Sequence, residues 1–269
     1  MEPLKNKIDF KLIISVRNAN PNGDPADNGR PRMNWDGYGE ISPVCLKRKI
    51  RNRLCDMGEN ILIKKDEQND DGYKSIDARV ASVPELDKLK KKPKDFTRRA
   101  SEIWTDVRYF GHVFLLNPPI GVTGPVSLQT AVSVEPIDVL RVESAGKFPR
   151  GVRKKKTMNW YSQYITSGIY VVNGGINCKR AEETGFCYND AQMLKKCLVS
   201  LFQNDESNAR PAGSMAVEKL YWWEHNCEDG QYTPAKVFRS VNVLPAGEYP
   251  YYTTQHTPLD ELVPEIYEE

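Results

Sequence analysis

Three aspartates, Asp24, Asp27 and Asp36, fall in one polar stretch rich in proline and glycine, and grouped carboxylates are what a metal-assisted hydrolysis would draw on. Their spacing does not supply it. Gly23, Pro25, Gly29 and Pro31 separate them and leave their mutual geometry unfixed. The run Asn18-x-Asn20-x-Asn22-Gly23 has the outline of a calcium loop, but no acid stands at its first position and Gly29 occupies the twelfth, where a glutamate is required. His112 lies in an apolar run, where a histidine is more often structural than catalytic, and the sequence offers His225 and His256 no partner. There is no G-x-S-x-G, no P-loop and no H-E-x-x-H. The expectation is a protein with no catalytic set, no metal and no other cofactor.

Phosphate binding is better supplied. Five cations fall in Lys47–Arg53, seven in Lys88–Arg99 and six in Lys147–Lys156, whereas Pro258–Glu269 holds five acids and no base. A formal charge of +2 therefore conceals a patchy surface suited to an anionic partner. RNA-binding surfaces combine Lys and Arg for phosphates with Asn and Gly for bases and close backbone approach. The candidate contacts are Asn18, Asn20, Asn22, Gly23, Arg30 and Arg32 of the polar loop, then Lys47, Arg48, Lys49 and Arg51. Arg108, Arg150, Arg153, Lys154 and Lys155 follow, with Asn208 and Arg210 of a second polar loop.

The elements that must position these residues are legible from periodicity. Phe10, Leu12, Ile14 and Val16 alternate, which predicts a half-buried strand ahead of the polar loop. Ser42 as N-cap, Pro43 at the first helical position and Gly58 as a stop predict a helix over 43–57. Its apolar stripe is Leu46, Ile50, Leu54 and Met57, leaving the cations on the flanks and far side. Residues 59–100 lack periodicity and read as an insertion longer than an ordinary connection. Val107–Leu116 and Val126–Val134 read as core strands, with turn chemistry between them, and 138–160 as a hairpin or loose lobe. Ile165–Ile176 resumes strand character. Asn189 and Gln192 resemble a capping box opening a helix over 189–203, with Leu194, Cys197, Leu198, Leu201 and Phe202 on one face. Val217–Glu224 reads as a final core strand, where burial of Tyr221, Trp222 and Trp223 outweighs a stacking role. The tail reads as irregular. The strong elements run β, α, β, β, α, β, which predicts an α+β, ferredoxin-like fold of the kind shared with RNA-recognition motifs, in one domain over 1–269.

Composition sets the outer limits. An apolar content of 39% in 269 residues supports a core, and 28% charged residues leaves much of the chain solvated. Six cysteines without a C-x-x-C, and histidines away from metal-ligand spacing, argue against zinc and for reduced thiols. No apolar run reaches the ~18–20 residues of a membrane span, and no signal-peptide core is present, so a soluble, cytoplasmic protein is expected.

Asn20-Pro-Asn-Gly-Asp-Pro25, then Pro31-Arg32 and Val44-Cys-Leu-Lys-Arg-Lys-Ile-Arg-Asn52, closely resemble the backbone subunit of type I-C CRISPR Cascade complexes, in the Cas seven group of the RAMP superfamily. Asp106-Val-Arg-Tyr-Phe-Gly111, Thr123-Gly-Pro-Val126, Ser133-Val-Glu-Pro136 and Asn208-Ala-Arg210 extend the likeness over almost the whole chain; 59–100 and the tail match least. The resemblance implies a palm like an RNA-recognition motif, with a finger-like insertion at 59–105 and a thumb-like one at 138–160. It implies copies polymerising as a helical filament along a guide RNA (crRNA), with other Cascade subunits, to pair the guide with a target DNA strand in antiviral defence. Lys47, Arg48 and Arg51, with Asn20 and Arg32, would meet the guide backbone; the cations of 138–160 would face RNA or a neighbouring copy. A metal-dependent endoribonuclease using a loop aspartate is the alternative that the related type III backbone subunits suggest.

Overall fold

The computed structural model describes residues 2–65, 69, 71–150 and 154–268, with 144–150 and 154–160 described by their backbone alone. Strand β1 (Ile8–Ala19) is followed by a loop containing the two-residue strands β2 (Gly23–Asp24) and β3 (Arg30–Pro31), then by β4 (Tyr38–Ile41) and helix α1 (Pro43–Asp56). The N-cap forms as the sequence dictates, the Ser42 hydroxyl accepting from Cys45 N at 3.2 Å. Gly58, at φ +90°, follows the helix end in a conformation that favours glycine.

A helical lobe comes next: α2 (Ile76–Ala81), α3 (Pro84–Leu89), α4 (Pro93–Ile103) and α5 (Thr105–Phe110), then the hairpin β5 (Gly111–Phe114) and β6 (Ile120–Thr123). Two expectations are corrected here. The stretch read as aperiodic has its own core, with Leu62, Val80, Leu86, Phe96 and Trp104 buried together, and Phe96, Ala100 and Ile103 recur at helical spacing along α4. The strand expected over Val107–Leu116 is half helix, and β5 pairs only with β6, outside the main sheet. The reason is that this segment bridges two cores. Val107 packs in the lobe, while Tyr109 and Phe110 pack in the main core, a division of neighbours that a helical turn provides.

The main sheet is completed by β7 (Val126–Leu128), β8 (Ala131–Pro136), β9 (Val139–Arg150), the long β10 (Lys154–Ile176) and β11 (Met215–Glu224), with helices α6 (Cys178–Thr184) and α7 (Tyr188–Val199) before the last. Helix α7 starts one residue ahead of expectation, and its start is held by Asp190, which accepts from Cys187 N at 2.9 Å, rather than by Asn189 and Gln192. The tail is ordered: α8 (Pro234–Arg239), β12 (Val241–Pro245), β13 (Tyr252–His256) and β14 (Glu265–Glu268). The sheet order is β14-β11-β1-β10-β8-β4, all antiparallel, with β7 and β9 also on β10. A β, α, β, β, α, β succession can be traced through β1, α1, β8, β10, α7 and β11, but without the strand expected over Val107–Leu116. Among the described residues no helix is long and apolar enough to cross a membrane, and no disulfide forms.

Strand β1 is buried on both faces rather than half-buried. Phe10, Leu12, Ile14 and Val16 join Leu46, Ile50, Leu54, Leu194 and Leu198 beneath the helices. Ile13, on the other face, packs with Tyr221, Trp223, Val237, Val241 and Tyr252, because the tail folds across that side. Lys11 fastens this second layer, donating to Phe238 O at 2.7 Å and to Val241 O. On the helix side, Asp106 joins three segments. It pairs with Arg51 at 2.9 Å and accepts from Leu62 N at 2.7 Å and Ile63 N at 3.2 Å.

Two measurements check this account. Asp106→Ala leaves Arg51 and two buried amides without their partner, and a loss of about 3–5 kcal/mol in denaturant unfolding is expected; a loss below about 1 kcal/mol would mean the junction is solvated. Burial lowers the Lys11 ammonium to about 8 from 10.5. Between those values the unfolded chain binds more protons than the folded one, so stability rises as pH is raised through that window. Lys11→Met is expected to flatten that rise in thermal unfolding; an identical profile in both proteins would contradict it.

Candidate nucleic-acid interface

The polar loop after β1 is built by its own side chains. Asn20 donates from its backbone to Ala209 O at 2.8 Å and from Nδ2 to Gly29 O at 2.7 Å. The Asn22 side-chain carbonyl accepts from Ser42 N at 2.8 Å, tying the loop to the start of α1. Asp24 accepts from Ala26 N at 3.0 Å and pairs with Arg32 at 3.3 Å. A Cβ on Gly23 would lie 2.9 Å from Gly29 O, so glycine is required where the loop crosses itself. Asn20, 8% exposed, and half-buried Asn22 thus shape the loop from within, and Asn20, whose Oδ1 has no hydrogen-bond partner among the described residues, also lines the cleft beside the loop. Asp24 and Asp27, which lies 4.0 Å from Arg30, are likewise engaged with loop partners. Among the described residues no group of three His, Cys, Asp or Glu side chains could hold a metal.

What the loop displays is Asn18, Asn28 and Gly29, with Asn18 and Asn28 both left-handed at φ 49° and 48°. They meet Asn208 and Ala209 of the second loop, and Tyr161–Tyr164 at the root of the β9–β10 hairpin, around a cleft of about 590 Å³. Arg141 of β9 lies over the Tyr161 ring, its guanidinium carbon 4.2 Å from the centroid. The cleft therefore joins carboxamides and aromatic faces, with Arg141, paired to Glu143 at 3.0 Å, stacked on one of its tyrosines, the chemistry that takes bases and backbone of a single strand. The structure brings together Asn18, Asn20 and Asn208 of the sequence-derived candidates. Asn28, Arg141, Tyr161 and Tyr164 are additions; the two tyrosines fell between the segments read as hairpin and core strand, and only their aromatic character in a polar run marked them.

The cations divide sharply. Arg48 is exposed, donating to Ile63 O at 3.2 Å. Lys47 is half-buried, its Nζ 5.3 Å from the Phe110 ring centroid, and burial, with Arg51 nearby, holds its pKa below the usual lysine range. Three candidates lie against carboxylates. Lys49 is buried against Asp205, with its pKa pushed down by desolvation; Arg51 is paired with Asp106; and Arg108 makes a forked pair with Asp190 at 2.8–3.1 Å. Each faces a carboxylate from a distant segment, which helix periodicity does not reveal. Arg210 also pairs with Asp205, at 3.0 Å, yet stays part-exposed, as do Arg30 and Arg32. Arg150, Lys154 and Lys155 belong to the hairpin strands described by backbone alone, and Arg153 lies outside the described residues.

The histidines have structural surroundings. His112 lies edge-on to Phe114, ring centroids 4.7 Å apart, and burial lowers its pKa. His225 does have partners, contrary to expectation: Nδ1 accepts from Gln231 N at 2.9 Å, and Nε2 lies 3.0 Å from Asp9 in the interior. Tyr221, Trp222 and Trp223 are fully buried, as their place on a core strand predicts.

A family model for the CRISPR-associated protein Cas7 matches residues 6–258. The CRISPR-associated protein Cas7 of Haloferax volcanii is 35% identical over 108 residues, which is 39% of this chain and 32% of that protein, so the matched stretch spans about a third of the relative's length. A chain of a solved CRISPR RNA-guided surveillance complex, pre-nicking, superposes with a TM-score of 0.58 at 16% identity, covering 90% of this chain and 83% of its own. The fold is thus α+β, a central antiparallel sheet with helices, shared with a chain of that complex. The protein belongs to the Cas7 family of CRISPR-associated proteins.

The two kinds of loop-proximal residue separate experimentally. Asn20→Ala is expected to cost about 1–2 kcal/mol of stability and to speed amide exchange over 23–32, because it removes the bond across the loop. Arg48→Ala should change stability by less than about 0.5 kcal/mol. Equal effects would mean that Asn20 does not hold the loop.

Proposed function

We propose that this chain is the guide-RNA-binding backbone subunit of a type I-C Cascade complex in the cytoplasm. It binds crRNA without cutting it, polymerises along the guide as a helical filament, and with other Cascade subunits presents the guide to a target DNA strand in antiviral defence. In this reading the chain is a single domain with a palm like an RNA-recognition motif, 59–105 is the finger-like insertion, and 138–160 is the thumb-like one. Family membership supports the reading. The observation that carries it is the cleft where Asn18, Asn28 and Asn208 meet Tyr161 and Tyr164, beside a loop that Asn22 ties to the cation-bearing helix α1. Asn18 and Asn208 contact the strand directly; Arg30, Arg32, Lys47, Arg48 and Arg210 supply positive charge, and Asn20, Asn22 and Gly23 act through loop shape. The sequence-independence expected of a guide scaffold follows, because none of these groups is arranged as a base-reading pair.

Particle mass should grow with the length of a single-stranded RNA, and binding should weaken with salt. One-to-one stoichiometry at every RNA length would overturn the scaffold. Arg32→Ala with Arg48→Ala should weaken binding and shallow the slope of log K against log salt by about 1.4, from ~0.7 per phosphate contact. An unchanged slope would remove these cations from the interface. Cleavage of complementary RNA in magnesium, lost in Asp24→Ala or Asp36→Ala, would overturn the non-catalytic reading.

A further inference from the structure

The lysine run at 88–94 has no part in the interface above, and the fold shows how it is displayed. Leu86 and Phe96 are buried on either side of it in the core of the lobe, so the α3–α4 turn is anchored at both ends. Lys88, Lys90, Lys91, Lys92 and Lys94 are all exposed. The lobe leads into the main sheet through β6 and β7, where Val126 pairs with Ile176 and Ile176 with Ile8, the first residue of β1.

At the other end of β1, Ser15, Arg17 and Asn18 line a second cleft, of about 620 Å³, with the loop before β13, Asn18 standing between this cleft and the first. Tyr249 and Tyr251, 79% and 44% exposed, stand edge to face there with centroids 6.0 Å apart. Glu135 and Glu218 also line it and form no salt bridge with a described residue. Ser214, 8% exposed, also lines it, its buried hydroxyl having no hydrogen-bond partner among the described residues. Two carboxylates against the single Arg17 disfavour phosphate. Tyrosine faces and oxygen acceptors suit an ammonium group.

We infer that this cleft receives the α3–α4 lysine turn of a second copy of the chain, an inference that rests on the backbone-subunit reading. The lobe joins the sheet at one end of β1 and the cleft lies at the other, and from Ile8 to Arg17 the strand spans about 30 Å at ~3.3 Å per residue, which favours a contact between copies over one within a chain. Each copy then offers a lysine turn at one end and a cleft at the other. Such a contact is heterologous, and its repetition builds an open helical array rather than a closed pair. This is the symmetry a linear guide requires.

The test compares a single-stranded RNA that holds several copies with a short one that holds a single copy, by sedimentation at low salt. Glu135→Lys with Glu218→Lys is expected to weaken association between copies at least tenfold while leaving binding to the short RNA unchanged. Lys90→Glu, Lys91→Glu and Lys92→Glu together should do the same, and both sets in one chain should restore assembly. Tyr249→Ala should weaken it about tenfold through loss of the ring, and circular dichroism with thermal unfolding confirms that each variant is folded. Unchanged assembly by the cleft variant overturns the inference. So does a lysine variant that loses affinity for the short RNA with no rescue in the combined chain, which would assign the turn to phosphate. If the unaltered protein bound neither RNA, the backbone reading would fail instead, and the same charge exchange would then be read on RNA-free self-association at high protein concentration.

Discussion

Burial of β1 on both faces is the constraint on which the rest of the structure depends. A central strand has no solvent side, so each residue from Ile8 to Val16 needs a partner in one layer or the other. One layer is made by α1 and α7. The other has to come from the end of the chain, and α8 with β12 and β13 supplies it. Where β1 carries a charge inside, the charge is met: Asp9 by Lys7 at 2.9 Å and by His225, and Lys11 by two carbonyls at the end of α8. The polar loop leaves β1 where this double burial ends, so its position is inherited from the sheet.

Electrostatics follows the same logic. The helix α1 looks like a phosphate-binding face when its cations are counted, yet burial divides them. Lys49 and Arg51 enter low-dielectric surroundings, where an unpaired charge is costly, and each is met by an aspartate. Arg108 behaves alike with Asp190, which also starts α7. These pairs fasten α1, the lobe and α7 to one another. Among the described cations of α1 and the two polar loops, the charge left for a ligand is smaller than composition suggests, and it lies at Lys47, Arg48 and the part-exposed arginines of the loops. The cleft proposed to bind RNA is lined by carboxamides and tyrosines, which would suit a surface that follows a backbone without reading a sequence.

The local signals in the chain were dependable where one residue type has one physical use. Ser42-Pro43 marked the start of α1 to the residue, the apolar stripe at 194–201 marked α7, alternation marked β1, and β-branched and aromatic residues marked the second half of β10 and β11. They were less so for 105–116, where the same apolar residues serve two cores, and for 59–100, where α2 and α3 carry too few turns to show a period and α4 begins only near the end of the stretch. The tail was misread because its apolar residues are sparse; Val237, Val241, Tyr252 and Leu262 are spaced by the width of the surface they cover, not by any helix or strand repeat.

The sequence by itself determined the order of the main elements, the glycine and asparagine chemistry of the loop after β1, and a resemblance that the family match then bore out at the level of Cas7. Those are local properties, set by φ, ψ and periodicity within a few residues. Tertiary structure alone decided which cations face carboxylates, that Asn20 and Asn22 point inward, and that Asn18, Asn28, Asn208, Tyr161 and Tyr164 share one cleft. The physical reason is that burial and ion pairing depend on which distant segments arrive beside a side chain. Asp205 reaching Lys49 across 156 residues leaves no trace in the pattern around either.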